Sequence, residues 1–272
     1  MSRPKPLVAA IAVATVAATA LAGCSSSAAK KSNGGSGGGG TGGVFTSIDA
    51  NNKITAGAPM NPFNAAPNMF LGYNQMQLGF SKNDPSDPNA LLPGLAASWT
   101  SSDSGLTIQL QPGAKWSDGT PVTVADIKTS LAIAYTHGTA GPVASAGGTV
   151  VAGNNFEVSD VKDLGGGKIE IDQQPGVKNL YFQRLVLTAT IVANSVYGSQ
   201  LPADVWSQIA AVQGTDQAAA SAASAKLTAE GKTIAAFAPA KDVSAGPFVE
   251  TRVNPGEALL DRNQYFYAAA KI

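Results

Sequence analysis

The stretch from Leu92 to Tyr135 constrains the fold most, because it predicts a strand, two tight turns and a capped helix in a fixed order. Apolar and polar residues alternate over 106–110, the pattern of a strand that is buried on one face. A turn follows at 116–121. Thr123 is then placed to cap a helix, with Asp126 at the third helical position as in a capping box. Apolar residues spaced four apart give this helix one buried face: Ile127, Leu131 and Tyr135.

Patterning elsewhere predicts a chain that mixes helices and strands. An apolar run with helical spacing predicts a helix over 71–80. Three glycines at 165–167 lie between two apolar segments and predict a β-hairpin. The alanine-rich stretch 215–230 favours a helix, and its weak apolar stripe places that helix at the surface. We also expect helices over 179–187 and 202–212 and a second hairpin from strands near 246–249 and 259–263.

The first residues have the features of an export signal rather than of a fold. Arg3 and Lys5 precede a charge-free apolar run that is shorter than the about 20 residues of a membrane-spanning helix. Leu21-Ala22-Gly23-Cys24 then resembles the bacterial lipobox, in which small residues precede a cysteine that receives a lipid. We therefore expect residues 1–23 to be a lipoprotein signal peptide and Cys24 to be the lipidation site. An ordinary signal peptide followed by a chance cysteine is the alternative.

Residues 24–43 are rich in glycine and serine and are expected to form a flexible tether. The glycine run has no following Gly-Lys-Ser/Thr and no preceding strand, so it is not a phosphate-binding loop. Residues 44–272 are expected to make up the folded domain.

Composition argues against several classes of function. The 18 basic and 18 acidic residues give a formal net charge of zero, so no excess of cations is present to bind nucleic acid. His137 is the single histidine and Cys24 the single cysteine, which leaves no set of residues for a His-His or Cys-rich metal site. No Gly-x-Ser-x-Gly elbow is present either. We expect neither an enzyme nor a bound cofactor or metal.

Several motifs together resemble the family 5 (peptide/nickel-type) solute-binding proteins of ABC importers. The resemblance rests on Pro93-Gly94-Leu95-Ala96-Ala97-Ser98-Trp99 and on Gly113-Ala114-Lys115-Trp116-Ser117-Asp118-Gly119-Thr120-Pro121. Ala245-Gly246-Pro247-Phe248 and Asp261-Arg262-Asn263-Gln264-Tyr265-Phe266 resemble later motifs of the family, with Ala245 in place of threonine and Gln264 in place of proline. We expect Trp116 and Asp118 to be structural residues rather than ligand contacts.

The resemblance implies an α/β fold of the periplasmic-binding-protein type (type II). We expect the N-terminal lobe of that fold, with a mixed sheet and a small inserted subdomain, and without the second lobe. The implied function is that of a substrate-binding lipoprotein on the outer face of the cell membrane, which captures peptides or similar small solutes and delivers them to ABC permease subunits. A non-transport lipoprotein that serves envelope assembly or regulation is the alternative.

The resemblance also implies where a ligand would bind. In peptide-binding members the backbone near the start of the first lobe lies along the ligand like an added strand. The matching positions include Pro59, Met60 and Asn61, and a second contact region includes Ser145. The competing interpretation of the first segment is that it merely turns the chain.

Overall fold

The computed structural model describes residues 60–64, 76–82, 86–87, 90–139, 157–178, 181–254 and 257–271. All of them belong to one compact unit, Asp49–Ile272. The expected signal peptide and tether lie outside the described residues.

A four-stranded antiparallel sheet forms the centre of the fold. Its strands are β4 (Ala96–Ser102), β5 (Gly105–Leu110), β6 (Val158–Gly165) and β7 (Lys168–Gln173), and their order in the sheet is β4-β5-β7-β6. Gly165, Gly166 and Gly167 all have positive φ, the conformation in which glycine avoids the steric cost of a Cβ, so the hairpin predicted there is confirmed. One face of the sheet is buried, through Leu106, Ile108, Leu110, Val161, Ile169 and Ile171.

Helix α1 (Val124–Thr139) begins at the predicted cap. The backbone N of Thr123 donates to Asp126 Oδ2 at 2.7 Å, and the Thr123 hydroxyl donates to the same oxygen at 3.0 Å. Ile127 and Leu131 are fully buried in the main hydrophobic core together with the inner face of the sheet. Local capping and apolar spacing therefore agree with the tertiary structure here.

In the part of the chain that the structure describes, four further α-helices follow the central sheet: α2 (Phe182–Leu187), α3 (Asn194–Tyr197), α4 (Val205–Val212) and α5 (Gln217–Ala236). Asp216 caps α5 by accepting hydrogen bonds from Ala218 N and Ala219 N. The exposed helix predicted over 215–230 is thus confirmed and is longer than expected. It buries a narrow stripe, namely Ala223, Leu227, Gly231 and Ile234.

Short strands replace part of one predicted helix. We expected a helix over 71–80, but Met76–Gln77 forms β1 and Gly79–Ser81 forms β2, while 71–75 lie outside the described residues. Strand β2 pairs with β3 (Leu91–Pro93), and β1 pairs with β8 (Thr190–Ile191). The carbonyl of Leu78 accepts from two backbone amides further along the chain. Pairing with distant segments therefore overrides the helical spacing.

The second predicted hairpin is also present. Strand β9 (Phe248–Asn254) pairs antiparallel with β10 (Glu257–Arg262), and a short 3-10 helix, Ala269–Lys271, follows. All ladders among the described residues are antiparallel, so the parallel pairing that a mixed sheet would contain is not found in this part of the chain. The prediction of a domain that combines a sheet with helices is confirmed.

Candidate functional site

A small groove, with about 30 Å³ of space that a water molecule can enter, lies where three separate parts of the chain meet. One side is formed by Met60 and Pro62, and a second by β8 and α3. The third side is the connector, which we define as residues 237–247 between α5 and β9. The lining combines apolar with a few polar residues: Met60, Pro62, Thr190, Ile191, Val192, Val196, Tyr197, Pro239, Lys241, Asp242, Val243, Ser244 and Ala245.

Helix α1 holds the second side of the groove in place. Ser130 Oγ accepts a hydrogen bond from the backbone N of Val192 at 2.9 Å. The Asp126 carboxylate, which also takes part in the α1 cap, accepts from the backbone N of Asn194 at 2.7 Å. Both side chains are buried, where such bonds are costly to break. The backbone next to β8 and at the start of α3 is therefore fixed by the rigid centre of the fold.

Tyr197 joins the groove to a small hydrophobic cluster behind it. Its ring meets Phe63 and Phe237 edge to face, with centroid distances of 5.9 and 5.4 Å. Burial, together with the negative charge of Asp242, raises the pKa of the Tyr197 hydroxyl, so this group is neutral at physiological pH. The ring of Tyr197 therefore gives this side of the groove an apolar surface, and the hydroxyl is the one polar group of the side chain.

Asn61 is a structural residue at the base of this region. Its side chain is fully buried, at 0% exposure. The amide nitrogen donates to the carbonyl oxygens of Ile234 at 2.6 Å and Phe237 at 2.9 Å, while Oδ1 accepts from Phe63 N at 2.9 Å. Because carbonyls at a helix end lack partners within the helix, Asn61 caps α5 and fixes the start of the connector.

The far end of the connector is held by two other polar residues. The backbone N of Ser117 donates to the Ser244 carbonyl at 2.8 Å, and Ser244 N donates to Ser117 Oγ at 3.2 Å. The buried Asn263 side chain donates to the carbonyls of Ser244 and Gly246 at 3.3 and 2.9 Å. The connector is therefore tied at both ends by side chains from distant segments.

The turn at 116–121 is part of the scaffold. Trp116 is buried, at 2% exposure, and its backbone N donates to the Thr120 carbonyl at 2.8 Å. Gly119 has φ of +86°, and a Cβ built there would lie 3.2 Å from Cζ of Tyr265. Lys115 Nζ lies 5.7 Å from the centre of the same tyrosine ring. The turn thus packs against the residues just after β10.

The charged residues of the groove come from the connector. Lys241 and Asp242 both line it. The pKa of the Asp118 carboxyl is lowered. Partial burial opposes this shift, but the hydrogen bonds from Thr120 and the charge of Lys241 outweigh it.

Asp242 Oδ2 accepts from the backbone N of Glu250 at 2.9 Å. Burial, and then the charge of Asp242, raise the pKa of Glu250 to about 7.

The structure separates the residues that the sequence singled out. Met60 lines the groove, whereas Asn61 lies beneath it and serves the scaffold. Cys24, Pro59 and Ser145 lie outside the described residues. Sequence reasoning missed β8, Tyr197 and most of the connector. The motif at 245–248 is the one signal near them; it marks the end of the connector, where Ala245 lines the groove.

Within the described residues, no group of three or more histidine, cysteine, aspartate or glutamate side chains is placed to hold a metal ion. No helix in the described parts of the chain has the length and apolar character needed to cross a membrane.

Comparison with known proteins places this geometry in context. Residues 90–272 match the model for "Bacterial extracellular solute-binding proteins, family 5 Middle", which is more than half of the chain. A search of curated proteins gave no match to the sequence.

A solved structure of a periplasmic binding protein shares the fold. It is the periplasmic oligopeptide-binding protein of an ABC transporter from Thermotoga maritima, bound to mannohexaose, with TM-score 0.54 and 14% identity over 80% of this chain and 33% of that chain. NikZ from Campylobacter jejuni in complex with Ni(L-His) is a weaker match, with TM-score 0.49 and 17% identity over 77% of this chain and 34% of that chain. This chain spans about a third of the length of these structures. The expected fold, an α/β lobe of the periplasmic-binding-protein type, is confirmed.

Proposed function

Because the chain belongs to the bacterial extracellular solute-binding proteins of family 5, we propose that it captures peptides or similar small solutes for an ABC importer. The groove between Met60, β8 and the connector is the proposed capture site in this lobe. The captured solute is then delivered to permease subunits in the membrane.

One observation carries this proposal: the lining of the groove has the composition of a small-molecule site. Ligand sites are typically concave and mostly apolar, with a few polar groups that fix orientation. Met60, Ile191, Val196 and Tyr197 supply apolar surface here, while Lys241 and Asp242 supply one charge of each sign. Charges of both signs suit a solute that carries both an ammonium and a carboxylate group, as a peptide does.

The position of Met60 supports the proposed mode of binding. The segment around Met60 enters the site through the turn at Asn61, where Asn64 N donates to the Asn61 carbonyl at 3.1 Å. Backbone groups in such a segment can pair with a peptide whatever its sequence. We propose that Pro59 and Ser145 contribute further contacts by the same mode.

The N-terminal sequence supports the proposed location. A signal peptide over 1–23, a lipid on Cys24 and a flexible tether over 24–43 would hold the domain on the outer face of the membrane. A single acyl group gives only reversible attachment, so stable anchoring requires the several acyl chains of a lipoprotein N-terminus.

Native mass spectrometry of the full chain with a pool of short synthetic peptides tests the proposal. We expect peptide adducts on the wild-type protein and a loss of at least about tenfold in adduct intensity for Met60→Arg, which blocks the groove with a long cation. Leu92→Arg is the matched control, because Leu92 is 48% exposed and lies outside the groove lining.

Equal peptide adducts on both variants would contradict the assignment of the groove. A complete lack of adducts with peptides, oligosaccharides and nickel-histidine alike would contradict solute capture by this chain and favour the envelope or regulatory role.

A further inference from the structure

Asp118 and Gly119 form an Asp-Gly pair in the turn at 116–121, and no other aspartate in the sequence is followed by glycine. Such a pair is chemically reactive, because glycine has no side chain to shield its amide nitrogen from the carboxyl group of the preceding residue. The nitrogen can attack that carboxyl group and close a five-membered succinimide ring. Asp118 is therefore the aspartate of this chain that is chemically most prone to isomerise.

The turn requires both residues of this reactive pair. Gly119 has φ of +86°, a conformation in which glycine avoids the steric cost of a Cβ, and a Cβ there would lie 3.2 Å from Tyr265 Cζ. Asp118 Oδ1 accepts from the backbone N of Thr120 at 3.0 Å and from its hydroxyl at 2.6 Å. Aspartate commonly stabilises turns by such local bonds. Replacing either residue to remove the reactivity would therefore weaken the turn.

The bonds that form the turn also occupy the two groups that would react. The backbone N of Gly119, the nucleophile of ring closure, donates to the Trp116 carbonyl at 2.9 Å. The carboxyl group of Asp118, which would be attacked, is held by the two bonds from Thr120. Ring closure requires both groups to leave these partners. Breaking three hydrogen bonds together is a rare local opening in a folded protein.

We propose that Asp118–Gly119 is a latent isoaspartate site, which the hydrogen bonds of the turn keep unreactive in the folded protein. In the reaction a bond forms between the Gly119 nitrogen and Asp118 Cγ, and the carboxyl hydroxyl leaves as water together with the amide proton. A water molecule then opens the ring. Cleavage between the nitrogen and Cγ restores aspartate. Cleavage between the nitrogen and the main-chain carbonyl carbon of Asp118 gives isoaspartate, in which the chain runs through Cγ.

The charge of Asp118 acts in the same direction as the bonds. The hydroxyl leaves readily only from a protonated carboxyl group, so the ionised carboxylate reacts slowly. Desolvation alone would raise the pKa of Asp118, but the hydrogen bonds from Thr120 and the charge of Lys241 lower it. The bonds from Thr120 therefore hold the carboxyl group in place and also favour its less reactive form.

Isoaspartate at position 118 would disturb one side of the groove. It adds one atom to the main chain directly after Ser117, whose backbone N donates to the Ser244 carbonyl at 2.8 Å. Ser244 lines the groove. A loss of solute capture on isomerisation rests on the proposed function, but isoaspartate can be measured with no solute present. A failure to bind any solute would therefore contradict the proposed function and leave the assignment of this site intact.

Isoaspartate formation in the full chain, followed during long incubation at neutral pH, tests the proposal. Trypsin releases residues 116–128, whose aspartyl and isoaspartyl forms separate by liquid chromatography and are assigned to position 118 by electron-transfer dissociation. The same chain unfolded in urea gives the intrinsic rate. We expect the folded wild type to isomerise at least about tenfold more slowly than the unfolded chain.

Variants at Thr120 test which bonds protect the site. Thr120→Val removes the hydroxyl bond at nearly constant volume and should raise the rate in the folded protein at least about threefold. Thr120→Ser keeps a hydroxyl group and should isomerise at close to the wild-type rate. Thr100→Val is the matched control, because Thr100 is an exposed threonine on β4, outside the turn, and should leave the rate unchanged.

The comparison of folded with unfolded wild type needs no substitution, so it decides the proposal even if Thr120→Val folds poorly. Equal rates of isomerisation in folded and unfolded wild type would overturn the proposal. A folded Thr120→Val that isomerises at the wild-type rate would overturn it as well.

Discussion

The side chain of Asn61 donates a 2.6 Å hydrogen bond to the carbonyl oxygen of Ile234, a residue 173 positions further along the chain. A second bond from the same amide reaches the Phe237 carbonyl at 2.9 Å. Asn61 therefore caps helix α5 and fixes the start of the connector, which forms one side of the groove. The residue beside it, Met60, faces the groove.

Replacing Asn61 by alanine should destabilise the protein by about 2–3 kcal/mol. Each buried hydrogen bond contributes about 1 kcal/mol, and the Phe237 carbonyl also loses its Asn61 donor, whereas the Ile234 carbonyl keeps a bond from the Phe237 backbone N at 3.1 Å. Chemical denaturation gives the free energy of unfolding. Asn254→Ala is the control, because Asn254 is exposed and should change stability by less than about 0.5 kcal/mol. A similar loss for both variants would contradict the capping role.

Alanine at Gly119 should cost more stability than alanine at Gly113. Both glycines have positive φ, +86° and +70°, so each substitution carries a backbone cost of about 1–2 kcal/mol. At Gly119 the new Cβ also meets Tyr265 Cζ at 3.2 Å, whereas at Gly113 nothing lies within 4 Å.

The difference between the two glycine variants therefore measures the contact between the turn and Tyr265. Thermal unfolding of Gly119→Ala, Gly113→Ala and the double variant Gly119→Ala/Tyr265→Ala would separate the two terms. Equal losses at both glycines would show that Tyr265 does not pack tightly on this turn.

Stability should fall as the pH rises through the range set by Glu250. Its pKa is raised from 4.5 to about 7, so the folded state keeps a proton that the unfolded chain releases. Between these two values folding therefore becomes less favourable with rising pH, by at most about 3 kcal/mol in total. Denaturation of wild type and Glu250→Gln across this range should give curves of the free energy of unfolding against pH that diverge. The variant should show the weaker dependence on pH. Parallel curves would contradict the raised pKa.

The proposed lipid anchor leads to a prediction for Cys24. Cys24→Ser removes the thiol that is proposed to accept the lipid, so the protein should lose metabolic labelling by palmitate and leave the membrane fraction of producing cells. Ser25→Ala is the control and should keep both. Retention of label in Cys24→Ser would show that the lipobox interpretation is wrong.

Much of the fold could be predicted because its signals are local. The α1 cap uses Thr123 and Asp126, which are neighbours in sequence, and the turn between β6 and β7 requires the three glycines that it contains. The strands β1 and β2 could not be predicted. Their apolar spacing fits a helix, and only pairing with β8 and β3 makes them extended.

The residues of the groove could likewise be predicted only in part from the sequence. The family resemblance predicts Met60 as a site residue, but β8 and residues 237–244 of the connector carry no signal that would place them beside it. The bonds that bring them together, such as Asn61 to Ile234 and Ser117 to Ser244, join segments far apart in the chain. Which of two adjacent residues, Met60 or Asn61, lines the groove depends on that tertiary arrangement.

Uptake of a labelled pool of short peptides by producing cells tests the central claim most directly. Cells that lack the gene should lose uptake. The wild-type gene and Leu92→Arg should restore it, and Met60→Arg should restore less than about a tenth of it. Equal uptake with and without the gene, for peptides and for other small solutes, would contradict a role in import.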